Sequence, residues 1–202
     1  MEEVTQTDGR LRRSAATRAA LVKAARTLFV RHGYGEVSTA DVVAQAGMTR
    51  NALYYHFATK EQLFRAVYED VEREIAERIL PAALAADSIV EGLRKGSHLF
   101  LDACLDPDVA EISVRQAPAV LAFPAMRQID NANYLGVLTD TIRAGVTSGA
   151  LRPVAPAVAA SMLLGALDEA ALVIANAKQP RRARREAGAV VDALLDGLLP
   201  SS

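Results

Sequence analysis

The apolar residues of this chain recur at intervals of three and four along most of its length, and this spacing predicts helices throughout. The clearest run places Leu63, Val67, Val71, Ile75 and Ile79 four positions apart. Caps, glycines and prolines divide the pattern into nine predicted helices, at about 14–32, 38–47, 49–57, 60–81, 88–104, 106–118, 124–149, 156–177 and 180–199. Because no segment shows the sustained alternation of a strand, the predicted fold class is all-α.

Three helix starts lie close together between residues 38 and 63. Ser38, with Asp41 three residues later, can cap one helix, and Thr49 can cap a second. Thr59 with Gln62 predicts a capping box for a third helix, while a glycine at position 47 separates the first two. Two short helices joined by a glycine-containing turn indicate a helix-turn-helix, whose second helix enters the DNA major groove.

The second helix of this motif has two unlike faces. Leu53 and Phe57 are four residues apart, so both side chains point inward. The remaining surface carries residues that can bond a base edge or a phosphate, and none of them is acidic: Arg50, Asn51, Tyr54, Tyr55 and His56. The alternative interpretation is a short polar surface helix between two core helices.

The stretch resembles the DNA-binding signature of the TetR family of transcriptional regulators. The matching residues are Leu28-Phe29, Gly33-Tyr34, Ser38 to Asp41, Gly47, Thr49, Leu53-Tyr54, His56-Phe57, Thr59-Lys60-Glu61 and Leu63. Val43 departs from the small residue that the family usually has there. Arg50, Asn51 and Tyr55 are the candidates for base contact. The resemblance implies that Ser38, Thr39, Thr49, Tyr54, His56 and Lys60 bind or position phosphates.

The chain divides into four predicted parts. Residues 1–13 are polar and are expected to form a disordered, solvated arm. The alternative is an arm that touches phosphates or a minor groove. Residues 14–59 form the three-helix DNA-binding domain, 60–81 a linking helix, and 82–202 a larger helical bundle that binds a ligand and dimerises. The small apolar residues 82–86 mark the boundary before the bundle.

The helix predicted at 156–177 is apolar on nearly all sides and therefore needs to be buried on more than one side. A bundle of this size cannot hide both this helix and the last one, so a two-fold homodimer is expected, as the TetR resemblance also implies. The alternative is an ordinary intramolecular core. A membrane span is rejected because Asp168 and Glu169 fall in its middle. The predicted interface consists of Leu164, Leu167, Ala171, Val191, Leu194, Leu195 and Leu198.

The resemblance also implies a small-molecule pocket inside the larger domain, between the fifth and eighth helices. The candidate lining residues are Phe100, Cys104, Arg115, Phe123, Met126, Asp130, Tyr134 and Met162. Only three aromatic residues follow position 80, so an aliphatic pocket with a few polar groups is expected in place of an aromatic-lined one.

Composition and charge further limit the functions that this chain can have. The 202 residues carry a net charge of −1, but residues 1–60 carry +4 and residues 61–202 carry −5, so the basic end coincides with the helix-turn-helix. Its single cysteine, Cys104, excludes an internal disulfide and fits a reducing cytoplasm. The three histidines lack metal-ligand spacing, and there is no glycine-rich phosphate loop. No metal, cofactor or enzymatic activity is therefore expected.

The sequence as a whole predicts a dimeric, cytoplasmic regulator that binds double-stranded operator DNA and is released from it by a small-molecule effector. The competing hypothesis is a ligand-binding or enzymatic helical protein with a vestigial motif. Affinity for DNA at moderate salt distinguishes the two.

Overall fold

The computed structural model describes the backbone of residues 2–200 and the side chains of residues 12–200. Every regular element in this part of the chain is helical, which confirms the all-α prediction. The helices are α1 (Glu2–Glu36), α2 (Thr39–Ala46), α3 (Arg50–His56), α4 (Lys60–Leu84), α5 (Ile89–Ala103), α6 (Pro107–Val109), α7 (Ala117–Val120), α8 (Phe123–Asp130), α9 (Gly136–Ser148), α10 (Pro156–Asn176) and α11 (Pro180–Asp196). Two π-helical segments, Ala110–Gln116 and Asn131–Leu135, join α6 to α7 and α8 to α9.

The chain forms two compact units that divide inside α4, between Glu69 and Asp70. The sequence pattern places the boundary near residues 82–86 and treats 60–81 as a separate linking helix. In the structure the first turns of α4 belong to the first unit instead. They do so because Leu63, Phe64 and Val67 are fully buried in the core of that unit.

The first unit has a small core contributed by α1, α2, α3 and the start of α4. Leu21, Ala25 and Phe29 of α1 are fully buried. An aromatic cluster joins α1 to α4, in which the ring of Phe29 lies 5.7 Å from Tyr34 and 5.3 Å from Phe64. Such clusters fix the relative angles of short helices because aromatic rings pair in preferred geometries.

Helix α1 differs from its predicted bounds at its start. It begins at Glu2, so the expected disordered arm at residues 1–13 has a helical backbone from position 2, and the side chains before Arg12 lie outside the described residues. No proline interrupts residues 2–36, so helical turns can propagate upstream from the packed segment. Gly33 interrupts the helix as predicted, with φ of 77° and ψ of 158°.

Two prolines mark helix ends less sharply than their positions predict. Pro81 lies inside α4, which continues to Leu84, and Pro118 lies in the first turn of α7 instead of ending a helix. The backbone N–H of Ala117 reaches the carbonyl of Ile112, five residues back. This wider turn places Pro118 at the start of a new helix, where its missing N–H is tolerated.

The second unit is built around α10. Its buried residues are Ala160, Leu163, Leu164, Leu167, Ala171, Ile174 and Ala175, and they pack against α5, α9 and α11. By length and composition this one helix could also cross a membrane, and about a third of its most apolar stretch is buried inside the protein. Asp168 and Glu169 interrupt that stretch.

Candidate nucleic-acid interface and internal cavity

Local hydrogen bonds set the geometry of the helix-turn-helix. Ser38 and Asp41 form a reciprocal capping box at the start of α2. Gly47 ends α2 in the left-handed conformation, with φ of 64°, and its N–H and that of Met48 bond to the last carbonyls of the helix. Thr49 then caps α3 by accepting from the N–H of Ala52 at 3.2 Å. The predicted motif is therefore present between Ser38 and His56.

The exposed face of α3 is the one that the sequence pattern predicts. Leu53 and Phe57 are 0% and 3% exposed and anchor the helix in the core. Tyr54 is 50% exposed and Tyr55 is 74% exposed. Since large aromatic side chains seldom stand so far out of a folded domain without a partner, this face is suited to contact another molecule. Arg50 and Asn51 are exposed beside them, and His56 is half-buried against Tyr55.

The hydroxyl groups of the motif differ in what they can offer a phosphate. Ser38 donates its proton to the carboxylate of Asp41 at 2.6 Å. This hydrogen bond lowers the pKa of Asp41 and commits the Ser38 hydroxyl to the cap. Thr49 only accepts in its cap, so its own proton remains available for an acceptor such as a phosphate oxygen. The hydroxyls of Thr39 and Tyr54 lie 3.4 Å apart, which brings together two of the predicted phosphate contacts.

Lys60 is half-buried, and its ammonium group is engaged within the protein. Its Nζ donates to the carbonyl oxygens of Tyr34 at 2.8 Å and Val37 at 3.0 Å. The same nitrogen lies 4.1 Å from the centroid of the Tyr34 ring, a cation–π contact. Two of its three protons are therefore used to hold the segment between α1 and α2. Sequence reasoning missed this role because the contact spans 26 residues.

The start of α4 is capped nearly as predicted. Thr59 accepts from the N–H of Gln62 at 3.1 Å. The Gln62 side chain reaches back to the N–H of Ala58 at 2.9 Å, one residue earlier than a regular capping box requires. The cap fixes where α3 ends and α4 begins.

Arg18 is a residue of this region that the sequence analysis did not single out. Its guanidinium lies 5.3 Å from the centroid of the Phe57 ring, which joins α1 to the end of α3. Such a cation–π contact stabilises by about 0.5–1 kcal/mol at an exposed site. The available signal was its position three residues before buried Leu21, on the same side of the helix.

The second unit contains a cavity of about 490 Å³, within the usual range for small-molecule sites. Its wall comes from the end of α4, from α5 and α9, from Tyr134 and from three leucines of α10. Apolar side chains make up most of this wall, as the scarcity of aromatic residues predicts. Among the predicted pocket residues, Phe100 and Tyr134 line the cavity, and their rings meet edge to face at 6.5 Å.

The other six predicted pocket residues do not line the cavity. Cys104 is buried in the core, and burial raises the pKa of its thiol to about 12. Arg115 pairs with Glu111 and donates to the carbonyl of Ala175. Phe123 and Met162 point outward, at 73% and 71% exposed. Met126 and Asp130 belong to α8, which contributes nothing to the cavity wall. Contact of these six residues with a ligand stays a prediction, since family pockets vary and helix periodicity alone does not orient α8.

The residues that do form the wall include two glycines that sequence reasoning missed. A Cβ atom at Gly92 would lie 2.7 Å from the carbonyl oxygen of Ala83, and one at Gly96 would lie 3.3 Å from the Cβ of Ala83. Both glycines therefore let α5 approach the end of α4 closely. Their spacing of four residues in one helix was the available signal.

A buried carboxyl group lies next to the cavity. Glu72 is only 5% exposed, and Tyr134 donates its hydroxyl proton to the Glu72 carboxyl at 2.9 Å and its carbonyl at 2.8 Å. Burial raises the pKa of Glu72 to about 7, and the hydrogen bond from Tyr134 only partly opposes this shift. The group therefore changes charge near neutral pH.

The predicted dimer residues fall into two groups. Leu164, Leu167, Ala171, Val191 and Leu195 are at most 7% exposed, so they belong to the core of one subunit, and Leu164 and Leu167 also line the cavity. Leu198 is half-buried in the same core, whereas Leu194 is 49% exposed. The sequence pattern does not separate the two groups, because a helix that is apolar all round gives no sign of which side faces inward. A role in subunit contact stays a prediction for all seven residues.

The outward sides of α10 and α11 are also apolar. Val158, Met162, Leu172 and Val173 of α10 and Val190 and Leu194 of α11 are each at least 39% exposed. We call these six residues the outer apolar face. A set of exposed apolar residues on two neighbouring helices is typical of a protein interface.

Charged groups join α5 to α11 within the second unit. Arg94 donates to both Asp192 and Asp196 at 2.7 Å. His98 Nε2 lies 2.9 Å from Asp192, and Arg184 donates to Asp102 at 2.6 Å. Arg184, from the arginine-rich run 181–185, thus takes part in an internal network. No group of acidic, histidine or cysteine side chains among residues 12–200 has a geometry that could hold a metal ion.

Models of two protein families match the chain. Residues 90–198 match a family described as "Tetracyclin repressor-like, C-terminal domain". Residues 21–67 match the family described as "Bacterial regulatory proteins, tetR family". The first match covers more than half of the chain, and the second covers α2, α3 and the caps described above.

Individual relatives agree with these families. The HTH-type transcriptional regulator TtgR of Pseudomonas putida is 32% identical over 73 residues, which are 36% of this chain and 34% of TtgR. The Tn10 TetC protein of Escherichia coli is 43% identical over 54 residues, 27% of each chain. The match thus spans about a third or less of these two curated relatives. A crystal structure of a TetR-family transcriptional regulator from Pectobacterium atrosepticum is 31% identical, with a TM-score of 0.81 over 94% of this chain and 97% of the other.

Proposed function

The chain belongs to the TetR family of bacterial regulatory proteins, and from that premise we propose that it is a sequence-specific transcriptional regulator, a repressor that a small molecule releases from operator DNA. The observation that carries this proposal is the face of α3. It presents Arg50, Asn51, Tyr54 and Tyr55 to solvent without an acidic side chain, on a helix anchored by Leu53. Such a face suits the polyanionic surface of DNA.

The proposed contacts divide into two kinds. Arg50 can bond two acceptors of guanine with its planar fork, Asn51 can bond adenine in the same bidentate manner, and Tyr55 adds the most exposed ring of the motif. Thr39, Thr49, Tyr54 and His56 position phosphates. Ser38 serves chiefly as the cap of α2, because its proton goes to Asp41.

Dimerisation supports this function because operators are commonly two half-sites related by symmetry. The outer apolar face of α10 and α11 supplies a surface that one subunit leaves exposed. A two-fold axis through it would pair the same residues of both subunits and bury them. We therefore propose a homodimer that works in the cytoplasm.

Release by a ligand requires that the cavity and the DNA-binding helices be coupled. Helix α4 begins at Lys60, directly after the helix-turn-helix, and its later residues Ile79 and Ala83 line the cavity. A ligand that shifts this helix would alter the placement of α3. Coupling of this kind is reciprocal, so DNA must weaken ligand binding by the same factor. The names of relatives, such as the probable acrEF/envCD operon repressor of Escherichia coli, favour repression over activation.

The deciding experiment is selection of bound sequences from a random duplex pool, followed by fluorescence anisotropy with the selected duplex and a scrambled one. Tight binding of the selected duplex at moderate salt, and its loss in Tyr55→Ala, supports the proposal. Lys95→Ala is the matched control, since it removes an exposed side chain from α5, outside the helix-turn-helix. If selection enriches no sequence, and the protein binds duplex DNA only weakly, it is instead a helical ligand-binding protein.

A further inference from the structure

The cavity of the second unit is elongated between two antiparallel helices. On α5 its lining residues recur from the cap Ser88 to Phe100, which is about 18 Å of helix at about 1.5 Å per residue. On the facing wall they recur from Tyr134 to Ala144. The rings of Phe100 and Tyr134 lie 6.5 Å apart, whereas the start of α5 packs against Gly145 of α9. A cavity of this form suits an extended ligand.

The two ends of the cavity differ in exposure. Three lining residues at one end, which we call the open end, are exposed to solvent: Leu84, Ser88 and Ala144. Leu84 is 67% exposed, and Val137, which lines the cavity nearer the other end, is 36% exposed. At that other end, the inner end, Phe100 meets Tyr134, whose hydroxyl is bonded to buried Glu72. Buried protein therefore closes the inner end.

Charge is confined to the exposed side of the cavity. Among the residues that line it in the described part of the chain, Asp140 is the only charged one, and its side chain is 73% exposed and paired with Arg143. Asp140 lies one helical turn before Ala144, towards the open end. A charged ligand group placed at the inner end would be desolvated without an opposite charge among the lining residues, which is costly. Such a group is favoured only where water remains, at the open end.

Hydrocarbon can fill the inner part of the cavity without leaving a protein hydroxyl unpaired. Ser97, Thr141 and Tyr134 each donate to a carbonyl oxygen of the protein at 2.8 Å. Because these hydroxyls already have partners, none of them needs an atom of the ligand. The rest of the inner wall is largely aliphatic and includes Leu163 and Leu167 of α10, each 7% exposed. Burial of apolar surface is therefore the main source of affinity there.

From these features we infer that the cavity binds a single-chain aliphatic amphiphile tail first. The hydrocarbon tail reaches the inner end, between Phe100 and the leucines of α10, and the polar head group stays at the open end beside Leu84 and Ser88. The length of the tail sets the affinity, and the chemistry of the head group is secondary. This inference rests on the proposed function for the cavity's role as an effector site, but binding is tested without DNA.

The first test varies the tail and uses hexanol, octanol, decanol and octane-1,8-diol. Isothermal titration of the full chain is expected to show that each added CH₂ group lowers the dissociation constant by about fourfold. Octane-1,8-diol would carry a second hydroxyl to the inner end, so it should bind at least about tenfold more weakly than octanol. Affinity that does not depend on tail length, a diol that binds as tightly as octanol, or the absence of binding by all four probes overturns the inference.

The second test determines the direction of the ligand with a positive charge at either end. Leu84→Lys adds the charge at the open end, and Ala132→Lys adds it at an exposed residue that lies two positions before Tyr134 and does not line the cavity. At low ionic strength Leu84→Lys should favour octanoate over octylamine by at least about threefold relative to wild type. Ala132→Lys should leave the ratio of the two affinities unchanged. Any other pattern contradicts tail-first binding.

The two proposals fail in different ways. If the alcohols bind with the expected dependence on length but leave affinity for the selected duplex unchanged, tail-first binding stands and release by a ligand of this class is wrong. If affinity does not depend on tail length, the inference about the cavity is wrong, whatever happens to DNA binding.

Discussion

The ammonium nitrogen of Lys60 lies 2.8 Å from the carbonyl oxygen of Tyr34 and 4.1 Å from the centroid of the ring of the same residue. Gly33 breaks α1 directly before this point, and Tyr34 and Val37 lie on either side of the helix end at Glu36. Lys60 supplies a donor to both. The first residue of α4 thereby ties down the segment that leads into α2.

Replacing Lys60 with methionine is expected to destabilise the first unit by about 1.5–3 kcal/mol, because two charge-assisted hydrogen bonds are lost while the carbonyls stay partly buried. Urea unfolding monitored by circular dichroism measures this change. Lys23→Met is the control, since Lys23 is an exposed residue of α1. If Lys60→Met keeps wild-type stability and only lowers the salt slope of DNA binding by about one, Lys60 is chiefly a phosphate contact.

Stability should depend on pH through Glu72. Its pKa rises from the ordinary 4.5 to about 7 in the folded protein, so the folded state binds a proton more tightly than the unfolded state does. The contribution of Glu72 is therefore favourable below about pH 4.5 and is lost as pH rises towards 7. Glu72→Gln should remove this dependence and make the protein more stable than wild type at pH 8, by about 3 kcal/mol at most.

Thermal unfolding of both proteins between pH 5 and pH 8 tests this prediction. Glu77→Gln serves as the control, because Glu77 lies on the same helix with its side chain 64% exposed. If wild type and Glu72→Gln lose stability in parallel as pH rises, Glu72 is ionised throughout and its burial is compensated by other contacts.

The predictable parts of this protein are those whose interactions span a few residues. Ser38, Gly47 and Thr49 shape the helix-turn-helix through bonds to neighbours at most four positions away, so the sequence pattern identifies them. The bonds from Lys60 to Tyr34 and from Tyr134 to Glu72 span 26 and 62 residues. Their existence depends on how helices pack, which local patterns do not encode.

The cavity and the subunit surface were harder to predict for a second reason. A helix shows which side is buried only when its two sides differ in polarity. Helix α10 is apolar on both, so Leu164, which lines the cavity, and Met162, which faces outward, look equivalent in the sequence. Only the packing of α5, α9 and α11 around the helix shows that Leu164 faces the cavity and that Met162 faces outward.

The outer apolar face predicts a dimer that one substitution can dissociate. Leu194→Arg places a charge at a residue that is 49% exposed in the single subunit, so the subunit should remain folded while the interface is lost. Light scattering should report twice the 21.6 kDa of the chain for the wild type and 21.6 kDa for the variant.

Leu195→Arg is the matched contrast. Leu195 is 2% exposed in the core of one subunit, so a charge there should unfold the protein as well as dissociate it. A wild-type protein that is monomeric at micromolar concentration would show that the outer apolar face is not a homodimer interface.

The recognition helix provides the sharpest prediction about specificity. Arg50 is exposed in the first turn of α3, directly after the cap Thr49, where helix-turn-helix proteins concentrate their base contacts. Arg50→Ala should cost about 1–3 kcal/mol on the selected duplex and relax the preference at one base position, because a guanine loses its bidentate partner. The cost on a scrambled duplex should be much smaller. Anisotropy titrations of both duplexes at several salt concentrations separate these effects, since a lost phosphate contact lowers the salt slope for every sequence. Equal weakening on both duplexes would make Arg50 a phosphate contact and would leave base recognition to Asn51 and Tyr55.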